Sequence, residues 1–366
     1  MIPILNLNPE IQQLRPEIDK AIARVIDSTE FIMGPEVIAF EKEAADYLGV
    51  KYALGVNSGT DALVIALRAA GINPGDEVIT TPFSFFATAE SIGMAGAKPV
   101  FVDVEESTYN IDPALIEQAI TPHTKAIMPV HLYGRPCEMD AIIDIADRYN
   151  LKIIEDCAQS IGARYKGTQT GTIGQVGAYS FFPSKNLGAF GDGGLIATND
   201  DETACQANKL RKHGAAKKYH NEILGYNSRL DSIQAAILRV KLPYINQWNE
   251  SRRRAATRYN HLLRNVEGII TPQITDGHVI HQYSIRLTRA NHNTIQAALK
   301  KQGIATMIYY PITQDRLPIY EGKYKQLPVS KKLGRQVLSL PISPSISEKD
   351  QQTVAQALIK SVGCGS

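Results

Sequence analysis

The chain carries the stretch Ser180-Phe181-Phe182-Pro183-Ser184-Lys185-Asn186-Leu187-Gly188, which leads into the glycine-rich run Gly191-Asp192-Gly193-Gly194. Most lysines are solvated surface charges. Lys185, by contrast, lies among aromatic, small and glycine residues, and no acidic residue follows it before Asp192. An apolar, tightly turned setting disfavours the charged form of a lysine, which lowers its pKa from about 10.4 and frees an amine for Schiff-base chemistry. We therefore predict a reactive amine at position 185.

A second segment, Val56-Asn57-Ser58-Gly59-Thr60, follows a predicted strand and opens a predicted helix. Glycine allows a ligand to approach the backbone closely, and the exposed amides at the start of a helix attract a phosphate dianion. A plain helix cap formed by Ser58 or Thr60 is a common alternative, and the motif alone favours it. Ser180, at the end of its own predicted strand, is a further candidate phosphate ligand.

An acidic residue, Asp156, ends the apolar segment Leu151-Lys152-Ile153-Ile154-Glu155, at a position where ligand sites form in open α/β sheets. A buried carboxylate that faces a pyridine nitrogen keeps that nitrogen protonated, so that the ring accepts electrons from a developing carbanion. Acids at strand ends are as often helix caps or metal ligands. Gln159, three residues later, could contact a phenolic oxygen on such a ring, although an ordinary surface glutamine is the alternative.

An aromatic segment, Pro82-Phe83-Ser84-Phe85-Phe86-Ala87-Thr88, contains Phe85, which offers a flat face for ring stacking. Plain core packing is the alternative, and the sequence does not say which of the three phenylalanines faces a site. Each signal is weak alone, but the order is informative: a phosphate loop at 58–60, an acid at 156 and a lysine at 185. These are the groups that pyridoxal phosphate needs from a protein, so we predict a site for this cofactor and none for a metal.

Bulk composition narrows the classes of protein. The residues are 44% apolar and 21% charged, as in ordinary globular proteins, and a formal net charge of +2 gives no reason to expect nucleic acid or an acidic membrane surface as a partner. The cysteines Cys137, Cys157, Cys205 and Cys364 show no metal-ligand spacing and favour a reducing compartment. We find neither a signal peptide nor an apolar run of membrane-spanning length, so we expect a cytoplasmic protein.

Short apolar runs alternate with helical patterns between about residues 50 and 200. Such alternation is typical of an α/β architecture, in which helices cover both faces of a mostly parallel sheet. The clearest helical patterns in this part lie at 61–70 and 139–149. The predicted strands are 52–56, 77–80, 99–102, 126–130, 152–155, 178–182 and 195–198.

The pattern changes in the second half of the chain. Two long helical patterns, at 232–248 and 250–264, form a predicted bridge out of the sheet domain. Strand-like pieces at 281–287 and 305–310 then alternate with a helical pattern at 293–302. This mixture is typical of a smaller α+β domain.

The length of the chain and this change of pattern predict two domains. A chain of 366 residues is long enough for a large core and for more than one domain. We predict that residues 1–245 form a large α/β domain that binds the cofactor. Residues 246–366 are predicted to form a small C-terminal α+β domain.

The chain resembles the DegT/StrS-type aminotransferases, pyridoxal-phosphate enzymes that aminate keto sugars attached to nucleotides. The resemblance extends over nearly the whole length, and so many matching segments in one order are not expected by chance. The matching segments are Gly34-Pro35-Glu36, Asn57-Ser58-Gly59-Thr60-Asp61-Ala62-Leu63, Pro74-Gly75-Asp76-Glu77-Val78-Ile79, Glu155-Asp156-Cys157-Ala158-Gln159-Ser160, Phe181-Phe182-Pro183-Ser184-Lys185, Gly225-Tyr226-Asn227-Ser228-Arg229-Leu230-Asp231 and Tyr309-Tyr310-Pro311-Ile312.

The resemblance implies a fold type I aminotransferase, with a mixed, mostly parallel sheet in its large domain, and it assigns roles around the cofactor. Lys185 would hold the cofactor covalently, and Asp156 would lie under the pyridine nitrogen. Gln159 would contact the oxygen on the ring. The phosphate would be bound by Gly59, Thr60 and Ser180.

The resemblance also implies a homodimer whose active sites lie at the subunit interface. Asn227 would reach the phosphate from the partner subunit, while Arg229 and the pair Tyr309-Tyr310 would lie near the sugar nucleotide. Many relatives have histidine where this chain has Tyr309, so the chain departs from the family pattern at one sugar contact. Some relatives replace the lysine by histidine and act as dehydratases, whereas this chain retains Lys185, which favours amino transfer.

By resemblance, the reaction moves an amino group from glutamate, through the cofactor, to a nucleotide-linked keto sugar. The product would be an amino sugar for a surface polysaccharide or a secondary metabolite. The segment Tyr310-Pro311-Ile312 resembles members that act on C-3 keto sugars more than those that act on C-4. The alternatives are a 4-keto-sugar aminotransferase, a cofactor-dependent sugar dehydratase and a regulator that retains the fold. A nucleotide-binding dehydrogenase is disfavoured, because no G-x-G-x-x-G opens a helix after the first strand.

Overall fold

The computed structural model describes residues 1–363, so Cys364 and the end of the predicted second domain lie outside the described residues. In chain order the strands are β1 (Tyr52–Val56), β2 (Glu77–Thr80), β3 (Lys98–Phe101), β4 (Thr124–Ile127), β5 (Lys152–Asp156), β6 (Arg164–Tyr165), β7 (Thr168–Gln169), β8 (Val176–Ser180), β9 (Gly194–Thr198), β10 (Ala215–Lys217), β11 (His220–Asn221), β12 (Ile269–Ile270), β13 (Tyr283–Leu287) and β14 (Val337–Leu340). The α-helices are α1 (Asn8–Ser28), α2 (Pro35–Leu48), α3 (Gly59–Ala69), α4 (Ala87–Met94), α5 (Met139–Tyr149), α6 (Asp201–Leu210), α7 (Ser232–Lys241), α8 (Ile245–Leu263), α9 (His292–Lys301), α10 (Pro328–Gly334) and α11 (Glu348–Gly363).

The large sheet has seven strands in the order β1-β9-β8-β5-β4-β2-β3. Every neighbouring pair from β8 to β3 is parallel, and β9 runs antiparallel to both of its neighbours. The predicted mixed, mostly parallel sheet is therefore confirmed. Pro99 is tolerated in β3 because this strand lies at the edge of the sheet, where a missing N–H can go unpaired.

Helix α3 is buried against the large sheet because its sequence is apolar on almost every side. Its buried residues are Ala62, Leu63, Val64, Ile65, Ala66, Leu67 and Ala69. The helix begins where Ser58 Oγ accepts a hydrogen bond from Asp61 N at 3.1 Å, so the helix cap considered for this serine is present. The start of the helix lies against the end of β8, where Gly59 contacts Ser180.

The helices predicted at 232–248 and 250–264 correspond to α7 and α8, but their boundary lies earlier than predicted. A short 3-10 turn at Leu242–Tyr244 separates them. Pro243 lies in this turn, and because it has no N–H for a helical hydrogen bond, the first helix ends there. None of the helices within residues 1–363 is both long and apolar enough to cross a membrane.

A second, antiparallel sheet has the order β12-β13-β14 and packs with α8, α9 and α11 around an apolar core of its own. Its central strand, β13, is buried along its whole length. The first residues of the chain join this core, because Ile2 forms an isolated bridge with Ile304. The C-terminal half is therefore α+β in character, as the pattern predicts.

The strand predicted at 305–310 is wrong. Only Met307 pairs in this segment, through an isolated bridge to Ser339 of β14. The segment then leaves the sheet because its aromatic side chains pack towards the large sheet, where the rings of Phe83 and Tyr310 lie 6.4 Å apart. The apolar pattern therefore reflects contacts between aromatic rings rather than a strand.

The residues predicted to form a site lie at one edge of the large sheet. Asp156 ends β5, Ser180 ends the neighbouring parallel strand β8, and Gly59 begins α3. In open α/β sheets, ligands bind in the crevice outside the carboxyl ends of the strands. The topology therefore brings the three predicted motifs to one place.

Candidate active site

Lys185 lies in a tight turn directly after β8. Ala189 N donates to Phe181 O at 2.8 Å, which closes the turn. Glycine is needed at position 188, because a Cβ there would lie 2.4 Å from Pro183 O. The turn leaves the Lys185 side chain partly accessible at the edge of the sheet.

The predicted amine and the predicted acid interact electrostatically. Burial lowers the pKa of the Lys185 amine from 10.5 to about 8, and the negative charge of Asp156 opposes this shift. Asp156 is 4% exposed, and burial raises the pKa of its carboxyl above the usual 3.8. Near neutral pH an appreciable fraction of a lysine with this pKa is uncharged, so Lys185 can act as a nucleophile or as a base.

Two hydrogen bonds favour the ionised form of Asp156 against the effect of burial. Thr88 Oγ1 donates to Asp156 Oδ2 at 2.8 Å, and the backbone N–H of Ala158 donates to Oδ1 at 3.1 Å. Ser84 Oγ lies 3.0 Å from Thr88 Oγ1 and can donate to it in turn. These donors lower the pKa of the Asp156 carboxyl, whereas burial, the larger effect, raises it. Sequence reasoning missed Thr88, although it ends the aromatic segment singled out for Phe85.

The start of α3 and the end of β8 form a cradle suited to a phosphate. Among residues 1–363, the amides of Gly59 and Thr60 have no protein acceptor, as expected for the first turn of a helix. A Cβ at position 59 would lie 2.6 Å from Ser180 Cβ, so only glycine allows this close approach. The Ser180 hydroxyl oxygen accepts a hydrogen bond from Phe182 N at 3.3 Å, which leaves its hydrogen free to be donated to an anion.

Lys185, Asp156 and the phosphate cradle form one cluster, and Gln159 has a fixed orientation beside it. Its Oε1 accepts a hydrogen bond from Tyr133 N at 2.7 Å, and its Nε2 donates to Tyr310 OH at 3.1 Å. The amide nitrogen has a second hydrogen, which remains for a ligand oxygen. The structure therefore places Gln159 beside Tyr310 rather than on the free surface.

The structure distinguishes the three phenylalanines of the aromatic segment. Phe83 is fully buried, and the ring of Phe86 packs near Tyr320. Phe85 is 59% exposed, and its ring centroid lies 6.3 Å from that of Tyr310. Phe85 is therefore the residue with an open face for a ligand ring.

The tyrosine pair reaches the cluster from the second sheet. Tyr309 O accepts a hydrogen bond from Tyr133 OH. Tyr310 is held between Gln159 and the ring of Phe85. Both tyrosines are half-buried, so they line the edge of the cluster and remain open to a substrate.

Asn227 and Arg229 are bonded to each other rather than to this cluster. Arg229 Nη2 donates to Asn227 Oδ1, and no hydrogen bond or ion pair among the described residues joins either side chain to Lys185 or Asp156. Ser228, the residue between them, is fixed in place: its Oγ donates a hydrogen bond to Asn57 Oδ1 at 3.0 Å, beside the phosphate cradle. The segment is thus fixed to the cradle while its neighbouring side chains remain outside the cluster.

An asparagine next to the lysine ties the turn to the C-terminal half. Asn186 Nδ2 donates to Asn249 Oδ1 at 2.8 Å and to Val279 O at 3.2 Å. Asn186 Oδ1 can only accept, so the His281 Nδ1 at 3.0 Å carries the hydrogen of that bond. Burial lowers the pKa of His281 far below its usual value, and the charge of Lys185 adds to this effect. Nothing in the sequence pattern links these residues, so sequence reasoning missed them.

A buried group of metal-ligating types lies nearby, where His131, Glu155 and Cys157 have ligand atoms within 4.8 Å of one another. Their hydrogen bonds are directed at the protein. Glu155 accepts from His131 Nε2 and from the backbone amides of 171, 173 and 174, at 2.6–2.9 Å. Cys137 N donates to His131 Nδ1, which fixes the tautomer of the ring. The group therefore supports the turn that precedes β8.

A lysine, a buried acid and an amide-lined cradle at the edge of a mixed sheet are typical of pyridoxal-phosphate enzymes. The chain belongs to the DegT/DnrJ/EryC1/StrS aminotransferase family, whose model matches residues 12–359. The predicted family is therefore confirmed.

Known proteins resemble the chain over almost its whole length. It is 50% identical to a Geobacillus stearothermophilus protein named "Pleiotropic regulatory protein", with 98% of this chain and 97% of the other covered. It is 44% identical to the UDP-N-acetyl-3-dehydro-alpha-D-glucosamine 3-aminotransferase of Acidithiobacillus ferrooxidans, again covering 98% and 97%. Among solved structures, it superposes with a TM-score of 0.95 on S. venezuelae DesV in complex with a ketimine intermediate, at 42% identity and 99% and 98% coverage. The predicted fold class is confirmed.

Proposed function

We propose that this protein is a pyridoxal-phosphate aminotransferase that moves an amino group from glutamate to a nucleotide-linked 3-keto sugar. One observation carries the proposal: the Lys185 amine, whose pKa burial lowers to about 8, interacts with the buried carboxylate of Asp156. Family membership and the relative named for a 3-aminotransferase support the same reaction.

The residues of the cluster fit the shape and charge of the cofactor. The unpaired amides of Gly59 and Thr60, with the Ser180 hydroxyl, suit its phosphate. The exposed face of Phe85 suits its ring. When bound, the cofactor supplies an electron sink for the charge left behind when a proton leaves the substrate carbon.

Lys185 supplies both the covalent attachment and the base. Its uncharged amine would hold the cofactor through the aldehyde carbon. Once free, Nζ would act as the general base that accepts a proton from the substrate carbon and later gives it back. A pKa of about 8 suits this two-way transfer, because a general base works best when its pKa lies near the working pH.

Asp156 would keep a proton on the pyridine nitrogen of the bound cofactor. Its buried carboxylate accepts hydrogen bonds from Thr88 and Ala158, which favour the anion. A neighbouring negative charge favours the protonated form of a ring nitrogen. Gln159 would donate its remaining N–H hydrogen to the oxygen on the ring.

The nucleotide sugar is bound by the tyrosine pair and by positive side chains. Tyr309 and Tyr310 line the edge of the cluster, where the keto sugar must present its carbonyl carbon. Arg229 lies in a surface groove with Lys212 and Lys217, and this positive surface suits a diphosphate. A keto group at C-3 agrees with the relative named for a 3-dehydro sugar.

The protein acts as a homodimer with shared active sites. Asn227 and Arg229 bond to each other rather than to Lys185 or Asp156 of their own chain, and we infer that they serve the site of the partner. Several large apolar side chains near this segment are exposed and suit burial in an interface; they are Phe31, Ile32, Ile38 and Leu224. We propose a division of the chain near residue 245; the two separate sheets support it, although the first residues of the chain pack with the second core. We place the enzyme in the cytoplasm, where it makes an amino sugar for a surface polysaccharide or a secondary metabolite.

The test is an assay of the purified protein with pyridoxal phosphate and a panel of nucleotide-linked sugars. The panel pairs 3-keto and 4-keto sugars on UDP, dTDP and GDP, with 15N-glutamate as the donor. We expect 15N to appear in the sugar of at least one 3-keto substrate, detected by mass spectrometry, and visible absorbance from bound cofactor.

Three results would contradict the proposal. Amination of 4-keto sugars alone would move the reaction to C-4. A deoxygenated sugar without 15N would identify a dehydratase. A protein that takes up no cofactor and aminates nothing would fit a regulator, the role in the name of the Geobacillus stearothermophilus relative.

A further inference from the structure

Three charged side chains are buried together beneath the lysine turn, and the proposed mechanism uses none of them. Glu10 of α1 is 7% exposed, Lys241 of α7 is 4% exposed and Arg252 of α8 is 2% exposed. Buried charges are costly unless they are paired, so a group of three calls for a physical explanation.

Lys241 connects this group to the turn that carries Lys185. Its Nζ donates a hydrogen bond to Gly188 O. The amine also lies over two aromatic rings, 5.7 Å from the centroid of Phe190 and 5.8 Å from that of Trp248. A charged amine gains from both contacts, because an ammonium is a stronger donor than a neutral amine and is attracted to ring faces.

The carbonyl that Lys241 holds is placed to control the geometry of the turn. Gly188 packs so closely against Pro183 that a Cβ would lie 2.4 Å from Pro183 O. Pro183 and Gly188 are the two ends of the loop that contains Lys185. A shift of the Gly188 carbonyl is therefore transmitted to the lysine.

Glu10 is the acidic side chain that is buried with Lys241 and Arg252. Its Oε1 is buried and has no hydrogen-bond partner among the described residues. Burial raises the pKa of Glu10, while the charges of Arg252 and Lys241 oppose this. Burial lowers the pKa of Lys241 to about 8, and Glu10 is the group that raises it. Without that carboxylate, Lys241 would lose its proton more readily near neutral pH.

We propose that Glu10 is a positioning residue for Lys185: its carboxylate keeps Lys241 charged, and charged Lys241 holds the Gly188 carbonyl that closes the lysine turn. The first helix of the chain thus controls how far the Lys185 amine is withdrawn from water. The inference rests on the proposed role of Lys185. Its test measures the reactivity of the Lys185 amine and requires no amino transfer.

A purely structural role makes a different prediction. If Glu10 only helped α1 to dock on α7, its loss would lower the melting temperature and leave the reactivity of Lys185 unchanged. The second positive group, Arg252, contacts the carbonyl of His281 at 3.5 Å, a long hydrogen bond. Arg252 should therefore influence the position of the lysine turn less than Lys241 does.

The experiment measures the reactivity of Lys185 in the full-length protein after removal of any cofactor. Competitive labelling with acetic anhydride over about pH 6 to 10, read by peptide mass spectrometry, gives the midpoint at which the Lys185 amine becomes reactive. In Glu10→Gln, a looser turn exposes the amine to water, so the midpoint rises by about half a pH unit or more. Labelling at about pH 7.5 then falls about threefold. The matched control is Glu17→Gln, an exposed change on the same helix, which leaves the midpoint in place.

A second variant identifies the route and covers the case in which Glu10→Gln fails to fold, as judged by circular dichroism. Lys241→Met removes the charge and keeps a chain of similar length, so it should raise the midpoint as much as Glu10→Gln. The double variant should raise it no further, because both changes break one chain of contacts. An unchanged Lys185 midpoint in a folded Glu10→Gln or Lys241→Met protein overturns the inference, as does an equal shift in the Glu17→Gln control.

Discussion

The predicted site residues lie in two regions that are held in different ways. Around Asp156, side chains are buried and hydrogen-bonded to neighbours in the same chain, as the Thr88 hydroxyl is to Asp156. Asn227 is exposed, and the side-chain partner of Arg229 is Asn227 itself. One chain therefore completes the chemical centre but leaves the second region open to a partner or a substrate.

Electrostatic interactions differ in strength between the two regions because one is buried and the other is exposed. Charges withdrawn from water interact more strongly than exposed charges, which solvent and salt screen. Changes at the buried centre should therefore affect the chemical step, whereas changes at Asn227 and Arg229 should act through binding and assembly.

Lys185→Ala should have the largest effect. It removes both the attachment point and the base, so amino transfer to the preferred sugar should fall by at least about a thousandfold. Steady-state assays and the visible absorbance of bound cofactor measure this. Lys349→Ala, an exposed lysine far along the chain, is the control and should keep full activity. Substantial activity in Lys185→Ala would show that Lys185 is neither the attachment point nor the base.

Asp156→Asn should have the next largest effect. The amide has nearly the same shape but no negative charge, so the pyridine nitrogen loses its proton and the electron sink weakens. We expect kcat to fall by about a hundredfold or more, a loss of about 3 kcal/mol, with the protein still folded. Exposed Asp147→Asn serves as the matched control. Equal activity of the two variants would contradict the assigned role of Asp156.

Asn227→Asp tests whether the second region serves a partner. A negative charge beside the phosphate should weaken activity by about tenfold or more. Mixing this variant with Lys185→Ala, followed by subunit exchange, should then restore about a quarter of wild-type activity, because half of the random dimers contain one intact site.

The mixing result distinguishes two arrangements. If Asn227 acts within its own chain, each mixed dimer combines one dead site and one weak site, and activity does not rise above the average of the parents. Size-exclusion chromatography coupled to light scattering confirms that the exchanged species are dimers.

Thr88→Val should have a moderate effect. The change removes the 2.8 Å hydrogen bond to Asp156 while keeping the volume of the side chain, so the pKa of that carboxyl rises further. The loss of a charge-assisted bond of about 1.5 kcal/mol predicts a drop in kcat of about tenfold. Thr294→Val, on an exposed helix surface, is the control. A drop in stability without any change in kcat would reduce Thr88 to a packing residue.

The pH dependence of stability should show the smallest effect. The folded-state pKa of Lys185, about 8, lies below its unfolded value of 10.5, so between these values the folded chain binds fewer protons. Stability therefore rises with pH in this window, and Lys185→Met should lack that contribution. Urea unfolding of the cofactor-free protein at several pH values gives the free energy of unfolding. The slope of this free energy against pH should differ between wild type and Lys185→Met by an amount that corresponds to nearly one proton. Identical slopes would mean that the amine is as solvated when folded as when unfolded.

Much of the fold was predictable because it depends on local pattern. The alternation of apolar runs and helical stretches predicted the mixed sheet, and most strand bounds agree to within two residues. The segment 305–310 failed because its apolar residues make long-range ring contacts instead of strand pairs. The boundary between the two long helices follows from Pro243, whose missing N–H ends the first of them.

The site was predictable only where residue type and order carry the information. Lys185, Asp156 and Gly59 stand in characteristic segments, so the sequence alone points to them. The choice of Phe85 over its neighbours depends on exposure, which pattern does not reveal. The role of Thr88 depends on a partner 68 residues away.

The amino-acid sequence encodes the kind of sheet, the order of the motifs and the family in neighbouring residues and their spacing. The surroundings that lower the pKa of the Lys185 amine come from the tertiary structure instead. The bond from His281 to Asn186 spans 95 residues and that from Lys241 to Gly188 spans 53. Such contacts form only when distant segments exclude water together, and this exclusion shifts the pKa of the Lys185 amine.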